Sequence, residues 1–174
     1  MHYTRFANAI GNVLGTSGYH TQYNCFPATT TEASCGASRQ NSIYVIGWSG
    51  NGGEYTSAWG LNDTYGDDSM MRWGNYDVVN AANRFIAGEV PSAIAKYPNT
   101  VPASQTLPSS FYLSSKPSFF GTQPWPGIGP DVTGGDMSGV AGHAYSNPAK
   151  LCYDSGTKGA GNELVSFNGA ACYV

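Results

Sequence analysis

The chain has 174 residues with 41% hydrophobic side chains, enough apolar material for one domain, or part of one, with a core of its own. Charged residues make up 11% and aromatics 13%, beside 23 Gly and 12 Tyr, a mix poor in helix formers and not that of a disordered chain. A net charge of −3 argues against nucleic acid as a partner, and no apolar run is long enough for a membrane span.

Residues 1–6, MHYTRF, lack the basic and apolar regions of a signal peptide, and structured-looking sequence begins at once. That reads as the later part of a longer protein, with a short cytosolic protein as the alternative. In residues 3–15, Phe6, Ile10, Val13 and Leu14 fall at spacings that an amphipathic helix also uses. Asn8, Gly11, Asn12 and Gly15 oppose a helix, and Gly11-Asn12 is a turn signal, so two short strands bent there are expected. The dipeptide returns at Gly74-Asn75, again after a bulky residue, as turns do when coils stack.

Residues 19–41 form a polar loop bracketed by Cys25 and Cys35, and residues 43–48, IYVIGW, are the clearest strand. A turn at 50–53 and a longer polar loop at 54–68 precede a second strand region at 70–80. Residues 81–97 have room for one or two helical turns before Pro91 and Pro98 interrupt them. Residues 107–142 carry Phe111, Tyr112, Phe119, Phe120 and Trp125, yet five prolines and repeated glycines bar a helix or central strand. An extended ribbon laid over other β material and pinned at each aromatic is expected. Near the C-terminus, residues 151–153 and 171–173 read as two strand-like pieces around a Gly-rich turn, a hairpin closed by Cys152 and Cys172.

The run LPSSFYLSSKPSFFGTQPWPGIGPDV resembles the segment closing many secreted bacterial right-handed parallel β-helix proteins of the pectate-lyase-like kind. FANAIGNVLGTSGYHT, SIYVIGWSG and MMRWGNYDVVN are similar to their last coils. The resemblance covers most of the chain and brings no catalytic motif. It implies an all-β fold: the terminal coils of a parallel β-helix, an irregular covering segment, and upstream coils in a longer chain. An antiparallel β-sandwich is the alternative fold.

Four cysteines fall into two local pairs, Cys25 with Cys35 and Cys152 with Cys172. Zinc is the rival reading, but there is no C-x-x-C and the histidines at 2, 20 and 143 show no ligand spacing. Disulfides imply an oxidising compartment, extracellular or periplasmic. Asp63, Asp67 and Asp68 have the composition of a Ca²⁺ loop without the spaced EF-hand pattern, and turn capping is the competing role. His20 and Asp77 have no nucleophile elbow to serve, His143 between small residues reads as structural, and the glutamates are scattered.

Tryptophans offer flat faces on which sugar rings stack, with Trp59, Trp73 and Trp125 as candidates and core filling as the other reading. The expected site is therefore a shallow, aromatic-edged, acidic one. It combines Asp63, Asp67 and Asp68 with Arg72 as the cation, flanked by Trp59 and Trp73. The functional expectation is an extracellular glycan-binding or structural module with a polysaccharide as partner. A polysaccharide-degrading lyase or glycoside hydrolase is the alternative.

Overall fold

The structure, a computed structural model, describes residues 4–26, 41–47, 63–91 and 99–172. The chain bends where the first turn signal stands: β1 (Asn8–Ile10) and β2 (Val13–Leu14) meet at Gly11, whose φ of 69° is a left-handed value suited to glycine. After β3 (Gln22–Cys25) and β4 (Ser42–Val45), a short helix α1 (Thr64–Asp68) leads into β5 (Met71–Trp73) and β6 (Asn75–Asp77). These two strands bend at Gly74, φ 63°, as β1 and β2 do at Gly11.

The two bent units lie side by side. β1 pairs in parallel with β5, Asn8 opposite Met71 and Ile10 opposite Trp73. β2 pairs in parallel with β6, Val13 opposite Tyr76, so one register runs through both strands and the turn between them. β3 and β4 make a third parallel pair, and β7 (Ala82–Arg84) closes the outer edge of β6 in antiparallel fashion. With seven strands against three short α-helices among the described residues, and no closed barrel, the fold is mainly β.

Asn75 joins the two turns. Its side-chain carbonyl accepts from the Asn12 backbone N–H at 2.9 Å and from Asn12 Nδ2 at 3.0 Å, while its own amide donates to the Ala9 carbonyl at 2.7 Å. Asn75 is 1% exposed, so these bonds satisfy an amide that water cannot reach. The apolar core is small: Tyr44, Ile46 and Met70, with Ala7, Ala9, Leu14, Tyr23 and Ile43 against them.

Residues 107–142 are irregular, as expected, with one 3₁₀ turn at Ser118–Phe120 and a single bridge from Ile128 to Ala144. They are not pinned at each aromatic. Phe111 is 62% exposed, Phe119 50% and Tyr112 96%. The attachments are made elsewhere. Leu107 lies over Gly11 and Gly74, the Ser17 amide donates to the Gly139 carbonyl at 2.9 Å, and His143 stacks on Tyr76 with ring centroids 3.7 Å apart.

The C-terminal hairpin is replaced by helices. Asn147 caps α2 (Pro148–Ser155) by accepting from the Lys150 amide at 2.8 Å, and Pro148 sits where a helix needs no donor. Cys152 on α2 is disulfide-bonded to Cys172 on α3 (Gly169–Cys172), so the expected pairing holds on different secondary structure. Cys25 is also disulfide-bonded, and its expected partner Cys35 lies outside the described residues. The helical turns expected over residues 81–97 reduce to one 3₁₀ turn at Ala87–Glu89 after β7, with residues 92–98 outside the described set. No helix among the described residues is long and apolar enough to cross a membrane.

Candidate functional site

The acidic loop folds into a cap rather than a basin. Asp63 begins α1, its Oδ1 accepting from the Gly66 amide at 3.0 Å and its Oδ2 pairing with Arg5 at 2.7 Å. Asp67 turns to the other side and pairs with Arg72 at 2.9 Å, and Asp68 is exposed. Of the three carboxylates expected to hold Ca²⁺, Asp63 thus serves a helix N-terminus and Arg5, Asp67 serves Arg72, and Asp68 points to solvent. Among the described residues no group of three His, Cys, Asp or Glu side chains could hold a metal ion.

Arg72 is not a surface cation: it is 4% exposed and stands inside a chain of alternating charges. Besides Asp67 it reaches Asn24 Oδ1 at 3.1 Å and Glu89 at 3.9 Å, and its guanidinium lies over Tyr44, 5.3 Å from the ring centroid. Glu89 in turn pairs with Arg84 and accepts from the Tyr23 hydroxyl at 3.0 Å. Arg84 lies 4.0 Å over the Tyr23 ring and 3.8 Å from Asp77, which is fully buried and accepts from the Asn80 amide at 2.7 Å. The strands set this order, since β3, β5 and β7 each contribute one or more members.

Each carboxylate of this cluster faces an arginine, so its oxygens are engaged within the protein rather than turned toward a substrate. Burial, then the Glu89 charge, pushes the Tyr23 phenol well above its ordinary range. Burial pushes Tyr44 up to about 12, against the opposing pull of Arg72. Burial works against the Arg84 charge, but the hydrogen bond and charge of Glu89 outweigh it and raise its pKa. The arrangement is a largely buried brace of paired charges between strands.

Sequence reasoning missed Glu89, Arg84 and Tyr23 as members of this cluster. One signal was available: in a chain with only 8 basic residues, Arg72 and Arg84 flank a strand turn that carries Asp77.

The tryptophans separate as well. Trp73 is 4% exposed and meets Phe85 edge to face at 5.3 Å, so it is core and not a stacking face. Trp59 lies outside the described residues. Trp125 is half-buried against Phe120, centroids 4.9 Å apart. Phe111, Tyr112 and Phe119, expected as anchors, face solvent instead.

A cleft of about 370 Å³ opens beside Phe111. Its floor is the Ile10–Gly11 bend, one wall is residues 107–111, and the other is residues 126–131. The second wall is fixed by the Gly129 amide donating to the His143 carbonyl at 3.1 Å and the Tyr145 amide donating to the Gly127 carbonyl at 2.8 Å. On the first wall the Ser110 hydroxyl accepts from the Tyr112 and Leu113 amides at 3.1 and 3.0 Å, which holds the turn that presents Phe111. Asp131 stands at the rim, one oxygen accepting from Asn83 Nδ2 at 3.3 Å. Comparison of the chain with protein-family models, curated proteins and solved structures found no match.

Proposed function

We propose that the chain is a glycan-binding module of an extracellular protein, built as coils of a right-handed parallel β-helix with an irregular covering segment. The outward-facing aromatics of that segment carry the reading: Phe111, Tyr112 and Phe119 are 62%, 96% and 50% exposed. Rings left in water on a backbone fixed by prolines and hydrogen bonds are the usual form of a surface that stacks on a ligand. The three parallel strand pairs and the stacked Gly-Asn turns support the coil architecture. The Cys152–Cys172 disulfide supports an oxidising compartment. The engagement of Asp67, Glu89 and Asp77 with arginines favours binding over catalysis.

Incubation with a panel of neutral and uronic polysaccharides tests this. The expected result is retention on at least one of them, by co-sedimentation or affinity electrophoresis, with no new chain ends. New reducing or unsaturated ends would assign the chain to the polysaccharide-degrading enzymes instead.

A further inference from the structure

We propose that the cleft between residues 107–111 and 126–131 is the sugar site and that it takes a neutral hexose unit rather than a uronic acid. The proposal rests on the glycan-binding reading above and adds the place and the chemical class. The volume of about 370 Å³ lies at the small end of ligand clefts, which run to about 1,000 Å³, and suits one or two sugar rings.

The cleft offers the two surfaces that a pyranose needs. Phe111 and Ile128, 62% and 50% exposed, both line it and offer apolar surface to the C–H side of a ring. The polar groups are the hydroxyls of Ser109 and Ser110 and the carboxylate of Asp131. Ser110 accepts from two backbone amides and so keeps its proton to donate to a sugar oxygen. Asp131 is an acceptor suited to sugar hydroxyls, and its bond from Asn83 holds it at the rim.

Charge decides the class. Asp131 is the charged side chain of the lining, and no lysine or arginine lines the cleft among the described residues. Two basic groups outside the lining are engaged elsewhere: Arg84 with Glu89 and Asp77, Lys116 with the carbonyls of Gly121 and Gln123. A uronate carboxyl would therefore meet a like charge with no cation to receive it, and that juxtaposition selects against acidic glycans.

The test is calorimetric titration of the whole chain with neutral tetrasaccharides (gluco-, manno- and galacto-) and with tetragalacturonate. At least one neutral probe is expected to bind about tenfold or more tighter than the uronate. Phe111→Ala is expected to weaken it by about tenfold and Phe111→Tyr to preserve it. Asp131→Ala should weaken the neutral probe, and Asp131→Lys should raise affinity for the uronate. Phe111 and Asp131 are exposed, so circular dichroism should show the variants folded. Neutral binding unchanged by Phe111→Ala and Asp131→Ala overturns the cleft while leaving a glycan-binding module. Preference for the uronate overturns the neutral class. Failure of every probe to bind overturns both the cleft and the reading on which it rests.

Discussion

Tyr23 and Tyr44 meet edge to face with centroids 5.2 Å apart, yet their hydroxyls differ in circumstance. The Tyr23 hydroxyl donates to Glu89, while the Tyr44 hydroxyl is buried with no hydrogen-bond partner among the described residues. Removing a donor from a buried carboxylate costs more than removing a hydroxyl that gains nothing from burial. Tyr23→Phe should therefore lose about 1–3 kcal/mol in urea unfolding at pH 7, and Tyr44→Phe should be neutral or more stable by up to about 1 kcal/mol. Both phenols have folded pKa values above their ordinary value, so folding favours their protonated forms. Their contribution is whole below about pH 10, the ordinary phenol value, and is lost as pH rises through the folded value. For Tyr44 that folded value is about 12. The urea midpoint should fall as pH rises above 10, and fall less steeply in Tyr44→Phe.

At the level of elements, the paired Gly-Asn turns are the feature most plainly written in the sequence. A left-handed bend needs glycine whatever surrounds it, so Gly11 and Gly74 were readable locally. Their second role was not: a Cβ on Gly74 would lie 2.7 Å from Phe85 and 2.8 Å from Leu107, so the same glycine leaves room for these two side chains. Gly18 separates the two effects, since its φ is 81° and nothing lies within 4 Å of a Cβ built there. Gly18→Ala should show the backbone cost alone, about 1–2 kcal/mol, and Gly74→Ala should exceed it by a similar amount in the same unfolding experiment. α2 was misread although its Asn147-Pro148 start is a local signal, because Leu151, Cys152 and Tyr153 also suit a strand. The brace around Arg72 was hidden for a different reason. Asn24 is 48 residues away from Arg72, and the Tyr23–Glu89 bond spans 66, distances over which no local pattern operates.

On the scale of the whole molecule, the two halves are secured by different means. The paired strands hold by register, the Asn75 bonds and the charged brace, whereas α2 buries no residue and α3 has four residues, too short to persist alone. The Cys152–Cys172 bond closes a separation of 20 residues, so Cys152→Ala with Cys172→Ala should cost roughly 3 kcal/mol. Hydrogen exchange should show that cost confined to residues near α3, with the amides of Met71 and Tyr76 still protected by the Ala7 and Asn12 carbonyls. The 63-residue separation within the stacked turns also bears on how the protein is made. During translation at about 5–20 residues per second, β1 and β2 leave the ribosome roughly 3–13 s before β5 and β6. Through that interval the nascent chain displays Ile10, Val13 and Leu14 on a strand whose native neighbour does not yet exist. Slower synthesis should therefore lower the yield of folded protein, because an unpaired apolar strand is a template for the wrong partner.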